Sequence, residues 1–285
     1  MPEQIYGFVT GCWHKHNPVE QVVDGYIESI VREGVDGIYL TTLTFGDDVQ
    51  LLARRVAEVG KELIIGFQVQ YPMNKADITR IGEAMRWTRR LALGNVLDGE
   101  FCSLGGPRRG MVSNEISSKL LASRCYTYLE DAERYGYQWV CCLTHRCLLV
   151  DMNGGQRARA VLAKSGTLVT PLCAYIIAGY LHGDSRVPDQ GVTSTAGLNL
   201  HRRFGVTGDA MRDYCKPLNI ISGAGGQIGL DAGTRRYMRG LGFKGLVAGL
   251  PFTLTGSDTA RTYPELDSYP LACGGFDTGY RRETP

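Results

Sequence analysis

The chain has 285 residues, of which 44% are hydrophobic and 21% charged, enough for one large α/β domain with a sizeable buried core. Its net charge is +2 and its basic residues gather only in pairs such as Arg108-Arg109 and Arg202-Arg203, which excludes the electrostatic footprint of a nucleic-acid binder and favours a small-molecule partner. Nine cysteines, scattered through expected strands and helices, argue for reduced thiols in a cytoplasm rather than a disulfide framework. No run approaches the length of a bilayer span and Met1-Pro2-Glu3-Gln4 does not open a leader, so a soluble, cytoplasmic protein without a membrane partner is expected.

Ile5 to Thr10 is a β-rich apolar run that stops at Gly11-Cys12-Trp13-His14-Lys15-His16-Asn17, giving a first strand and its loop. Asn17-Pro18-Val19-Glu20 combines a capping residue, a proline for the first helical position and an early acid. The helix it opens carries Val19, Val22, Val23, Tyr26, Ile27, Ile30 and Val31 as one stripe and ends at Gly34. Strand two is Gly37 to Thr42. After Phe45-Gly46-Asp47-Asp48, a helix places Val49, Leu52, Val56 and Val59 on one side and closes at Gly60. Strand three, Glu62 to Gln70, is apolar first and polar last, with Gln68 and Gln70 on one face, as suits a barrel mouth.

Asn74 to Leu93 has the spacing of a third helix, with Ile78, Ile81, Met85 and Leu91 inward, and Asn95 to Phe101 is the expected fourth strand. A glycine-rich loop through Gly105-Gly106-Pro107 leads to a helix from Asn114 to Arg134, and Gly136 returns the chain to strand five, Gln138 to Thr144, with His145-Arg146 at its end. A short helix, Gln156 to Lys164, precedes strand six, Thr167 to Ala174. Tyr175 to Gly205 is the least regular interior segment and the candidate lid. Thr207 to Tyr214 is helical again. Then come a strand at Asn219-Ile220-Ile221, the loop Ser222-Gly223-Ala224-Gly225-Gly226, a helix over Leu230 to Leu241, and a strand from Gly245 to Ala248 ending in Gly249-Leu250-Pro251-Phe252.

That last unit, two short apolar runs joined by a helix-length insert, is the signature of a right-handed parallel βαβ unit, and the rest of the chain repeats its rhythm. The fold class expected is therefore α/β: a single (βα)8 TIM-type barrel spanning 1–285, with the barrel over about 5–252 and an irregular tail over 253–285. The tail, holding Pro264, Pro270, Gly274, Gly275 and Gly279, has no helical stripe; closing the barrel bottom and a homo-oligomer contact are both open to it.

Glycines after strands seven and eight leave backbone N–H groups uncovered, an arrangement that resembles the phosphate site of many (βα)8 barrels, and they serve equally to turn the chain. On the resemblance, Ser222, Gly223, Gly225, Gly226 and Gly249 bind a phosphate, with Gln68 and Gln70 adding hydrogen bonds to substrate. Asp98 and Glu100, two residues apart, face one side of a strand, and His145 would stand on the neighbouring strand. Paired acids separate in pKa and serve as general acid and base. The function expected is acid/base chemistry of the lyase, isomerase or synthase kind on a small phosphorylated substrate or cofactor. No cofactor is required; a flavin phosphate fits the same loops.

Two other resemblances compete. An H-x-H after strand one, an acid on strand four, later histidines and a late aspartate are similar to the amidohydrolase superfamily; on that pattern His14, His16, Glu100, His145, His182 and Asp258 imply a divalent metal and a hydrolase. Trp13, Lys61-Glu62-Leu63-Ile64-Ile65 and Asp98-Gly99-Glu100 resemble the chitinase-type glycoside hydrolases, which would make Asp98 and Glu100 act on a sugar. A barrel serving only as a binding module would instead fill its mouth with apolar side chains. Cys141-Cys142 lacks a matching second pair and reads as small core residues in a strand.

Overall fold

The computed structural model describes residues 2–10, 18–41, 45–70, 72–94, 113–143, 145–170, 206–221 and 232–249. Strands and helices alternate: β1 Gln4–Thr10, α1 Val19–Arg32, β2 Gly37–Thr41, α2 Asp47–Glu58, β3 Glu62–Gln68, α3 Lys75–Ala84, β4 Arg90–Gly94 and α4 Asn114–Tyr135. They continue with β5 Gln138–Cys142, α5 His145–Asn153, α6 Arg157–Ser165, β6 Leu168–Thr170, α7 Gly208–Cys215, β7 Asn219–Ile220, α8 Ala232–Gly240 and β8 Gly245–Gly249. The eight strands form one sheet in the order β7-β6-β5-β4-β3-β2-β1-β8, and every pairing is parallel.

Backbone geometry nearly closes that sheet into a cylinder. Lys244 N–H, at the entrance to β8, donates to the Ile220 carbonyl of β7 over 2.8 Å, and Gln4 Nε2 of β1 donates to Asn219 Oδ1 over 3.3 Å. The two edge strands thus become neighbours, as the (βα)8 TIM-type barrel requires. Strand alternation sorts the core into two compartments. Tyr6, Tyr39, Ile64, Ala92, Val140, Cys142, Leu168, Ile221 and Val247 fill the interior. The intervening residues, among them Ile38, Leu40, Leu63, Ile65, Leu91, Leu93 and Cys141, pack outward against the helices.

Helix stripes meet this outer layer largely as their spacing dictates. In α1, Val22, Val23, Tyr26 and Ile30 are buried, whereas Val31 rotates past the edge of the stripe and stays exposed. In α2, Val49, Leu52, Ala53 and Val56 are buried, and Val59 lies beyond the last turn on the surface. Gly136 ends α4 at φ 77°, its N–H donating to the Ala132 carbonyl, a left-handed stop that glycine makes without a Cβ penalty.

Five expectations are corrected. Pro18 takes the position before the first helical residue, accepting the Val22 N–H, so the helix begins one residue later than a proline at its first position would imply. The third helix stops at Ala84, because Leu91 and Leu93 belong to an outward-facing strand register opposite Ile65 and Phe67. Strand four is therefore Arg90–Gly94, ahead of Asn95 to Phe101. One expected helix after strand five is two, α5 and α6, broken at Gly154-Gly155: a Cβ at Gly154 would collide with the Asn114 carbonyl and the Ser118 side chain, so the turn passes through the only residue type that fits. Finally, Cys125, Cys141, Cys142 and Cys215 are buried thiols outside any disulfide, whereas Cys147 is disulfide-bonded, which departs from the expectation of reduced cysteines. The segment 175–205 and the tail 253–285 also lie outside the described residues.

Candidate functional site

The two ends of the barrel differ in chemistry. Glu62 and Arg90 open β3 and β4, so their side chains sit at the amino end, where Arg90 Nη1 is 3.0 Å from Glu62 Oε2. Between them stands the phenol of Tyr6, donating to Glu62 Oε2 over 2.5 Å and accepting from Arg90 Nη1 over 2.9 Å. Arg90 Nε reaches Gln138 Oε1 at 3.4 Å, and the Gln4–Asn219 bond completes a polar stopper. Burial, then the hydrogen bond to Glu62, push the Tyr6 phenol well above its ordinary pKa, with the Arg90 charge opposing them. These bonds link β1, β3, β4, β5 and β7 across the amino end of the cylinder. Glu62, quoted above in the glycosidase resemblance, belongs to this stopper.

Toward the carboxyl end several inward positions carry small residues. Gly66 on β3, Ala92 and Gly94 on β4 and Gly249 on β8 put little or nothing into the interior, because they share the inward register of Ile64 and Val247. On the same inward face stand Tyr39, whose hydroxyl is 3.3 Å from Cys142 Sγ, and Thr170, which pairs in register with Cys142. A Cβ on Gly66 would lie 3.4 Å from the Tyr39 hydroxyl, so the bare glycine gives the phenol its place. Thr170 is 0% exposed, and its Oγ1 has no hydrogen-bond partner among the described residues.

The loop after β3 is held at the same rim. Asp77, buried in the first turn of α3, accepts the backbone N–H groups of Gln70 at 2.9 Å and Asn74 at 3.2 Å, while the Asn74 side chain caps the Asp77 N–H. Gln70 Oε1 accepts from Asn74 Nδ2, and its exposed side chain is thereby aimed along the loop. Arg80 lies 4.7 Å over the Phe67 ring, and its pKa is lowered by burial.

The residues expected from sequence fall as follows. Gln68 is the last residue of β3, His145 the first of α5, and Gly249 the last of β8, all at the carboxyl end of the barrel. Asp98, Glu100, Ser222, Gly223, Gly225 and Gly226 lie outside the described residues, as do His14, His16, His182 and Asp258 of the metal pattern. Among the described residues no group of three or more His, Cys, Asp or Glu is assembled to hold a metal. Cys141 and Cys142 face opposite sides of β5, which rules them out as a chelating pair.

Sequence reasoning missed Tyr39, Cys142 and Thr170. The available signal was parity: on β6, Leu168 and Thr170 share one face and Thr170 is the strand's one polar residue. It also missed Asp151, a fully buried carboxylate between α5 and α6 that accepts from Ala158 N–H and Arg159 N–H at 2.9 Å, Tyr214 Oη at 2.7 Å and Ser118 Oγ. All four bonds are internal to the helical layer, so this carboxylate organises α4, α5, α6 and α7 and does not face the barrel mouth. Among the described residues no helix is long and apolar enough to cross a membrane. Compared with models of known protein families and with curated proteins, the sequence matches none.

Proposed function

We propose that this chain is a barrel enzyme that holds the phosphate of a small substrate or cofactor on backbone N–H groups following β7 and β8, and moves protons with Asp98, Glu100 and His145. The observation that carries the reading is the barrel closure. Because Lys244 N–H bonds the Ile220 carbonyl, the chain leaving Ile221 toward Ser222-Gly223-Ala224-Gly225-Gly226 and the chain leaving Gly249 depart from adjacent strands at one rim. Paired strand ends of this kind suit an anion.

The proton-transfer half rests on a second adjacency. Leu93 of β4 pairs with Cys141 of β5, so the segment carrying Asp98 and Glu100 and the helix opened by His145 follow neighbouring strands toward that rim. Fixing the phosphate orients the substrate and leaves the acids and the imidazole to act at the reacting carbon or oxygen, which is lyase, isomerase or synthase chemistry. The hydrogen-bonded polar cluster at the amino end supports the same polarity, since it favours the carboxyl mouth as the way in.

Inorganic phosphate should raise the melting temperature of the wild-type protein in proportion to the logarithm of its concentration, and a Gly225→Asp variant, which sets a carboxylate in the anion's place, should lose that response. Once turnover is found, Glu100→Gln should abolish it while substrate still stabilises the protein. No phosphate response in the wild type would remove the anion site, and full activity in Glu100→Gln would remove that acid from the mechanism.

A further inference from the structure

We infer that Asp77 is a positioning residue for the carboxyl rim: through Asn74 it fixes the Gln70 side chain so that the amide nitrogen is offered as a hydrogen-bond donor to an acceptor oxygen of the ligand, at the end remote from its phosphate. The inference deepens the reading above by naming a second group that the ligand carries, and it rests on that reading for the phosphate.

Helix capping does not account for everything Asp77 does. As the third residue of α3 it completes a capping box with Asn74, which requires only the Asn74 N–H. The same oxygen, Oδ2, also accepts the N–H of Gln70, four residues ahead of the cap. That bond lies outside the helix and ties down the chain leaving β3, so a buried carboxylate serves a loop. Bonds from backbone N–H groups to a carboxylate are among the stronger ones, and the amino end of α3 favours the negative charge. One turn along α3, the Arg80 guanidinium lies 4.7 Å over the Phe67 ring of β3, so the helix after the loop is joined to the strand before it.

The backbone sets the polarity of the relay. An N–H only donates, so the group that meets the Asp77 N–H at 2.9 Å is the Asn74 oxygen, Oδ1. The Asn74 nitrogen is then the end that meets Gln70, donating to its Oε1 over 2.9 Å. This leaves Gln70 Nε2 on the other branch of the amide, on an exposed side chain. An amide nitrogen carries donors alone, which selects a hydroxyl, carbonyl or carboxylate oxygen as its partner. Holding that donor in one place before the ligand arrives lowers the cost of ordering it on binding. Finally, β3 lies four strands from β7 by either route around the ring, so an oxygen bound by Gln70 and a phosphate held after β7 and β8 belong to opposite ends of one ligand.

Hydrogen exchange and thermal unfolding of the full chain test the two halves. Asp77→Ala should speed exchange of the Gln70 and Asn74 amides by about tenfold, and Asp77→Asn, whose carbonyl oxygen fits the same place, should keep most of the protection. Sorbitol phosphate and phosphogluconate serve as probes beside inorganic phosphate: they are linear chains of equal length with a phosphate at one end and, respectively, a hydroxyl and a carboxylate at the other. One of them should raise the melting temperature of the wild type at lower concentration than inorganic phosphate does, and which one identifies the oxygen. Gln70→Glu keeps an oxygen for Asn74 and removes the donor, so it should weaken that probe by about tenfold relative to inorganic phosphate, a comparison that cancels the added charge. Asp77→Ala should weaken it likewise, and Asp77→Asn should restore it. Unchanged exchange in Asp77→Ala, or a probe weakened no more than inorganic phosphate in Gln70→Glu, would overturn the inference. A response to inorganic phosphate that neither probe improves keeps the anion site and sinks the Gln70 contact. A probe response lost in Gln70→Glu, with none to inorganic phosphate, does the reverse, and silence to all of them removes both.

Discussion

Asp151 makes the most quantitative test of how the helical layer is held. The carboxylate is 0% exposed and stands where a cap for α6 would: Gln156, the residue before that helix, has φ 57° and makes no side-chain cap, so Asp151 takes the N–H groups of Ala158 and Arg159 instead. It also binds the Tyr214 and Ser118 hydroxyls, joining four helices at one point. Asp151→Ala strands four donors at once. Each buried donor left unpaired costs about 1–3 kcal/mol, so after allowing for water at Arg159, which is only half-buried, and for rotation of the hydroxyls, a loss of about 4 kcal/mol is expected. Asp151→Asn keeps one acceptor oxygen and can turn its amide toward the Tyr214 oxygen, leaving mainly one backbone N–H unpaired, for a loss of about 2 kcal/mol. Urea unfolding followed by circular dichroism measures both, through the shift in midpoint at constant slope. Tyr214→Phe alone should cost about 1 kcal/mol and should cost less in the Asp151→Ala background, because the two share a bond. A loss below about 1 kcal/mol in Asp151→Ala would refute the claim that this carboxylate, rather than the surrounding apolar packing, fixes these helices.

Two further outcomes follow from the same physics. Burial raises the Tyr214 phenol well above its ordinary range, reinforced by the Asp151 charge, and pushes the Cys215 thiol from 9.0 up to about 12 against the pull of Lys244 and Arg159. A raised folded-state pKa means that the unfolded chain loses its proton first, so the stability from these groups is complete below pH 9 and falls as pH rises from 9 toward about 12. The slope approaches about 1.4 kcal/mol per pH unit for each group, and Cys215→Ala should make the decline measurably shallower. At the barrel closure, a Cβ on Gly245 would collide with the Gln4 carbonyl, so Gly245→Ala should lower stability by about 3 kcal/mol, read by thermal unfolding; an unchanged melting temperature would show that β1 and β8 are less tightly apposed.

The alternation of short apolar runs with helix-length stripes was legible as a parallel barrel because both periods are local. Val22, Val23, Tyr26 and Ile30 declare a face within four turns, and Gly34, Gly60 and Gly136 declare the stops. Where period fails as evidence, the reading failed: Leu91 continues the spacing of Ile78, Ile81 and Met85, yet it sits on β4, because a strand register opposite Ile65 buries it better than another turn of helix would. The order of strands, the closing bond from Lys244 to Ile220, and the parity that turns Cys142 inward and Cys141 outward are decided by partners far along the chain, which no window of sequence contains. The same holds for function. The sequence by itself named the residue types that move protons and receive anions, since those are properties of single side chains and glycine loops. Only the tertiary structure decided that Tyr6, Glu62 and Arg90 bond one another at one end of the cylinder, while farther along the interior Cys142 and Thr170 come side by side, because such pairings depend on which strands become neighbours.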